Sequence, residues 1–145
     1  MKFKTSWQTK FLAALLAVGL LPFFTIVILA LIPLDPLTIN SVTIVNSQKM
    51  VVAGEKLHYI VDTDKHIQKP AKITRQLINE RTIYYTSVDS NLPRGASIRG
   101  ESLGTSSADM PGIYHLRMTY TYRYFYFRDV SVVADSDIFM IVGKK

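Results

Sequence analysis

A chain of 145 residues has room for one domain and one accessory segment. With 48% hydrophobic and 19% charged residues it is too apolar for disorder, and the absence of cysteine excludes a disulfide scaffold, a zinc finger, a thiol nucleophile and cysteine lipidation. The net charge of +6 first suggests nucleic-acid binding. Its distribution argues otherwise: Lys2, Lys4 and Lys10 stand in the first ten residues without an acid, and residues 11–34 carry no charge.

Residues 1–10 therefore read as a basic tip. Residues 11–34, FLAALLAVGLLPFFTIVILALIPL, contain no Asp, Glu, Lys, Arg, His, Asn or Gln. As a helix rising about 1.5 Å per residue, this run covers about 35 Å, enough to cross a hydrocarbon core of about 30 Å. Pro22 is expected to kink it, and Trp7 stands where an interfacial aromatic belongs. A cleaved secretory signal is the competing reading. Its apolar region runs to only about 7–15 residues, however, and no paired small residues follow the run here. The pattern predicts an uncleaved signal anchor in the cell inner membrane, single-pass, with the basic tip cytoplasmic and residues 35–145 exported.

After Pro36 the pattern changes to a period of two. The first predicted strand is Leu37 to Val45, followed by a short strand and turn at Val51 to Glu55. Leu57, Tyr59 and Val61 then alternate with Lys56, His58, Ile60 and Asp62, as in a half-buried strand. Asp62 to His66 and Lys69-Pro70 read as a polar connection, with Asp62 and Asp64 serving a turn. Ile73 to Glu80 and Thr82 to Val88 are the next two strands. The Ser-, Gly- and Pro-rich stretch from Asp89 to Gly104 reads as a connection with a short strand near Ile98. Gly112 to Phe127 is a long strand, and Val130 to Val142 is the last, bent near Ala134-Asp135, with Asp135 and Asp137 in a turn.

About seven short strands below one helix predict an all-β fold, an immunoglobulin-like antiparallel β-sandwich behind a single N-terminal transmembrane helix. Asp109-Met110-Pro111-Gly112-Ile113-Tyr114-His115-Leu116 resembles the Asp-x-Gly-x-Tyr-x-Cys stretch that opens strand F in many immunoglobulin domains. One extra residue separates Asp109 from Gly112, and Leu116 stands in the cysteine's place. No tryptophan lies on the strand that would be C, which leaves Ile73, Leu77 or Ile78 to fill the core. The layout also resembles small tailed-phage proteins with one N-terminal span and an exported β-sandwich. The shared texture is Val52-Ala53-Gly54-Glu55-Lys56-Leu57-His58-Tyr59, Lys69 to Leu77, and Pro111 to Leu116. The resemblance implies a fold and an envelope location; its motifs are structural and bring no activity.

Chemistry is sparse. His58, His66 and His115 lack metal-ligand spacing, and His58 and His115 fall on the polar parity of their strands. Asp62-x-Asp64 lacks the glycine and distal glutamate of an EF-hand. No glycine-rich loop precedes a helix, and no nucleophile elbow or carboxylate pair is visible. The expectation is a non-enzyme without cofactor, metal or small-molecule substrate.

Gly112 to Phe127 holds the one pointed pattern. Tyr114, Leu116, Met118, Tyr120, Tyr122, Tyr124 and Tyr126 share one parity, core-like at its start. His115, Arg117, Thr119, Thr121, Arg123, Phe125 and Phe127 share the other. Arg117, Arg123, Phe125, Phe127 and Arg128 are the candidate partner-binding residues, since aromatics and arginines anchor interfaces. A single-stranded nucleic-acid platform would use similar residues, but an exported domain rarely meets such a ligand, so this reading ranks last and no nucleic acid is expected. The expected partners are the lipid bilayer and an envelope or phage protein. A single-span holin or antiholin acting through residues 11–34, with small residues at Ala13, Ala14, Ala17 and Gly19, is the alternative reading, and a virion-associated membrane or tail component is another.

Overall fold

A computed structural model of the chain describes residues 7–79, 83–86, 92–106, 111–124 and 128–144, with backbone alone at Gln8 and 83–86. The chain divides into two compact units at Leu34/Asp35.

Among its described residues the first unit has one α-helix, α1, Trp7–Leu31, rather than residues 11–34. It starts earlier because nothing in Trp7–Lys10 opposes a helix. It stops earlier because Pro33 disfavours helical backbone at Ile32. Pro22 lies inside a continuous helix; lacking an N–H, it leaves the Val18 carbonyl without its usual partner. One turn on, the Thr25 hydroxyl donates to the Leu21 carbonyl at 2.8 Å. Phe11, Leu15, Val18, Leu21, Phe24 and Ile28 are exposed around the helix, and Thr9–Leu31 is long and apolar enough to span a membrane.

The second unit contains eight strands among the described residues: β1 Leu37–Ile44, β2 Met50–Val52, β3 Lys56–Lys65, β4 Lys72–Ile78, β5 Ile83–Thr86, β6 Gly95–Gly104, β7 Gly112–Tyr124 and β8 Arg128–Val142. They form a three-stranded sheet in the order β1-β3-β6 and a five-stranded sheet in the order β2-β8-β7-β4-β5. All pairs are antiparallel except β2 with β8, which is parallel.

The expected alternation on β3 is present, with Leu57, Tyr59 and Val61 buried, but the strand continues through Thr63 and Lys65, both also buried. Asp62 and Asp64 are thus strand residues, not turn residues. Within the stretch expected to be a connection with a short strand near Ile98, Gly95–Gly104 is a full strand, β6. Its ten residues pair with β3 from Lys56↔Gly104 to Lys65↔Gly95. Cross-strand pairing overrides the weak intrinsic preference of its glycines and serines.

On β7, Tyr114, Leu116, Met118, Tyr120, Tyr122 and Tyr124 all point into the core. Ile73 and Leu77 of β4 meet them, and Phe139 of β8 stacks on Tyr114 at 6.2 Å between ring centroids. Two irregularities exchange the faces of strands. On β1, Asn40 is extra between the pairs Ile39↔Thr63 and Ser41↔Asp62, so inward positions change from Leu37 to Val42 and Ile44. On β8, Ser136 and Asp137 lie between the pairs His115↔Ile138 and Arg117↔Asp135. Here the Ser136 hydroxyl accepts the Leu116 N–H at 2.9 Å and donates to the Asp137 carbonyl at 2.6 Å. Asp135 and Asp137 therefore flank a bulge within one strand, not a turn between two.

Candidate functional site

The outer face of the five-stranded sheet carries two of the expected arginines, Arg117 and Arg123. Arg117 on β7 lies opposite Asp135 on β8, its Nε and Nη2 donating to the two carboxylate oxygens at 2.7 and 2.8 Å. That two-pronged contact holds the Asp135 carboxyl below the usual carboxylate range and raises the Arg117 guanidinium. Arg123 makes a single contact with Asp129, its Nε donating at 3.2 Å, while most of its side chain stays in solvent. Between the two pairs, Thr121 and Ser131 exchange a hydroxyl hydrogen bond of 3.0 Å. Arg128 is half-buried at the start of β8, opposite Tyr124. Phe125 and Phe127 lie outside the described residues, so of the five candidate residues the arginines alone are placed. They share the β7–β8 ribbon.

The same face turns apolar toward the start of β7. Met50, Met140 and Ile113 form a row across β2, β8 and β7 by direct register. Ile138, His115 and Ile78 form the next row across β8, β7 and β4. Ile113 and Ile138 are 62% and 65% exposed, and Met50 and Met140 are exposed as well. A Lys49–Asp137 ion pair of 3.0 Å borders the patch. His115, expected on the polar parity, is half-exposed within it.

A second cluster lies between the sheets. Arg75 shares the inward parity of Ile73 and Leu77, and its guanidinium touches the Glu101 carboxylate that β6 supplies from the opposite sheet. The Tyr59 hydroxyl donates to the same Glu101 oxygen at 2.9 Å. Burial and the Glu101 charge push Tyr59 well above the usual tyrosine range, and burial does the same to Tyr120. Arg75 Nε and the Tyr122 hydroxyl are buried without a hydrogen-bond partner among the described residues, and burial pushes Tyr122 up to about 12. Lys65 is 2% exposed; its Nζ donates to the Leu92 carbonyl at 2.7 Å and lies 6.0 Å from the Tyr122 ring centroid. Burial, followed by the charge of Arg99, holds its pKa below the usual lysine range. This network ties one sheet to the other.

An open groove of about 510 Å³ lies beside the Arg123–Asp129 pair, lined by Pro70, Lys72, Thr74, Thr121, Arg123 and Asp129. No group of three or more His, Asp or Glu side chains among the described residues is arranged to hold a metal ion. In comparison with known proteins, the chain matches no family model and no curated protein sequence. The functional reading therefore comes from the chain's own residues.

Proposed function

We propose that the chain is a membrane-anchored, non-enzymatic interaction protein. In this reading α1 is the anchor, and the second unit is an immunoglobulin-like sandwich displayed outside the inner membrane to bind an envelope or phage-encoded protein. The strand order supports the fold: β1, β3 and β6 take the places of A, B and E, and β4, β7 and β8 those of C, F and G. In that scheme β5 extends the second sheet beside C, as variable-type domains do. Orientation follows from Lys2, Lys4 and Lys10, which favour retention of the tip in the cytoplasm.

The observation that carries the interaction reading is the apolar patch of Met50, Ile113, Ile138 and Met140 on a sheet face whose remaining β7–β8 rows hold ion pairs and hydroxyls, with Val133 as their exposed apolar side chain. An apolar group rimmed by polar residues is the usual make-up of a protein contact surface. The test is a photo-crosslinking residue placed at Ile138 and, separately, at Asp62 on the outer side of the other sheet, with the full chain produced in its native cells. A discrete crosslinked partner from position 138, absent from position 62, supports the reading. Equal or no crosslinking from both positions refutes it. A reporter fused after Lys145 supplies the location, and activity in the cytoplasm would overturn the exported topology.

A further inference from the structure

We infer that the end of the β unit at which Asp35 enters it is a binding surface for anionic phospholipid head groups. Strand register collects the cations. Leu37 pairs with Lys65 and Lys65 with Gly95 in one sheet, Lys72 with Thr121 and Tyr124 with Arg128 in the other, and the Lys65 Nζ lies 6.0 Å from the Tyr122 ring centroid, so the start of β1, the end of β3 and the start of β6 share one end with the start of β4, the end of β7 and the start of β8. That end holds Lys69, Lys72, Arg94, Arg123 and Arg128 at or near the surface. Its acids are engaged locally: Asp35 and Asp64 flank His66 at 3.5 and 3.8 Å, and Asp129 pairs with Arg123 at 3.2 Å. Among the described residues no carboxylate lies against Lys69, Lys72 or Arg94. Lys69 is held instead over the Tyr124 ring, with its Nζ 4.7 Å from the centroid.

Among the described residues the opposite end has a smaller excess. Its exposed Lys49 is paired with Asp137, and Lys56 and Lys144 share that end with Glu55. At the basic end, the groove of about 510 Å³ is walled by Lys72, by Arg123 with its partner Asp129, and by Thr74 and Thr121. Its two cations outnumber its one carboxylate, and a recess of net positive charge with hydroxyls beside it suits a phosphodiester. Connectivity supplies the source of that phosphate. His66 fixes the entry of the chain at this end, its N–H donating to the Pro36 carbonyl at 3.0 Å and its Nδ1 lying 3.1 Å from the Asp35 carbonyl. Three residues separate Leu31 from Asp35, about 14 Å at full stretch. If α1 occupies a bilayer, the basic end is therefore the one that chain length keeps close to the head groups, where basic residues are drawn to anionic lipid. The inference rests on the membrane-anchored reading and adds a second hold on the bilayer to the helix.

The test uses the full chain in lipid nanodiscs of phosphatidylcholine alone or with about a third phosphatidylglycerol, read by amine acylation and mass spectrometry at each lysine. Acylation of Lys69 and Lys72 should slow at least about three-fold in the anionic discs, with Lys49, Lys56 and Lys144 unchanged. The protection should vanish near 1 M salt, where the Debye length falls to about 3 Å. The Arg94→Gln/Arg123→Gln variant should lose most of it while keeping its β-type circular dichroism. Equal acylation in both discs overturns the inference, as does protection of Lys49, Lys56 and Lys144 instead. Inorganic phosphate protecting Lys69 and Lys72 equally well in neutral discs would reassign the groove to free anions and overturn the lipid assignment. A chain that enters neither disc overturns the membrane-anchored reading itself, and the inference with it.

Discussion

Replacing Glu101 by alanine should be among the most damaging single changes in the β unit, although the residue is charged and stands on a strand of glycines and serines. The Arg75 and Glu101 side chains are 16% and 19% exposed, so most of each is shielded from solvent. Removing one partner of a buried pair costs about 3–5 kcal/mol, because the remaining charge stays inside without compensation. An exposed pair would cost only about 0.2–1 kcal/mol. The Tyr59 hydroxyl loses its acceptor in the same step. Against a total of about 5–15 kcal/mol for a typical domain, Glu101→Ala should take a large share of the stability. The variant Tyr59→Phe/Arg75→Met/Glu101→Leu removes all three polar groups together and should recover most of the loss, since apolar replacement of a buried pair is neutral or stabilising by about 1–4 kcal/mol. Urea unfolding of the full chain in detergent micelles, followed by the β circular dichroism signal, measures both at constant slope. A Glu101→Ala cost below about 1 kcal/mol would show that solvent screens the pair and refute the reasoning. A triple variant as unstable as the single one would refute the charge argument in favour of a purely steric one.

Ser136→Ala should cost about 1–3 kcal/mol in the same assay, because the Leu116 N–H, in the middle of the core strand, loses its acceptor. Faster amide exchange at Leu116 than at Met118 would locate the effect, and unchanged exchange would count against the bulge geometry. The buried tyrosines set an alkaline limit. Their folded-state pKa values lie above the ordinary 10.0, so stability is fully present below pH 10 and falls as pH rises toward about 12, where Tyr122 titrates. The phenolate absorbance of Tyr59, Tyr120 and Tyr122 should thus appear together with loss of the β signal; a smooth titration in the folded protein would contradict their burial.

Strands whose two faces differ in polarity were legible in the residues. Leu57-Tyr59-Val61 and Tyr114-Leu116-Met118-Tyr120 alternate cleanly, and their burial follows that alternation. β6 was not legible, because its inward positions are Gly95, Ser97, Arg99, Glu101 and Leu103. Only the partner strand explains them: β3 also turns polar inward toward its end, with Thr63 and Lys65, and the Thr63 hydroxyl lies 3.2 Å from that of Ser97. A polar inner lining made by two neighbouring strands looks like a surface loop when each is read alone. Arg75 is hidden for the same reason, since its partner Glu101 lies in a stretch whose residues look like a connection. The length of β3 was missed where Asp62 and Asp64 imitate a turn: both are half-exposed on the strand's outer side, between buried Val61, Thr63 and Lys65.

The exposed apolar patch depends on a feature that alternation alone cannot place. Read at a strict period of two, Val130 to Val142 puts Val130, Val132, Ala134, Ile138 and Met140 on one face. The bulge at Ser136 and Asp137 divides that set. Before it Val130, Val132 and Ala134 point inward; after it Phe139 and Ile141 are buried, and Ile138 and Met140 turn out beside Ile113. Pairing β8 regularly with every residue kept, without the bulge, would direct Ile138 and Met140 inward, at the cost of bringing out Phe139 and Ile141, both nearly inaccessible to solvent, with loss of the Phe139–Tyr114 stack. The exchange is unfavourable for the core because aromatic and β-branched side chains would leave it together. Core packing at Phe139 and Ile141 thus fixes the bulge, and the bulge in turn fixes two exposed apolar side chains next to the arginine ribbon. The patch is in that sense a consequence of how β8 must register against β7.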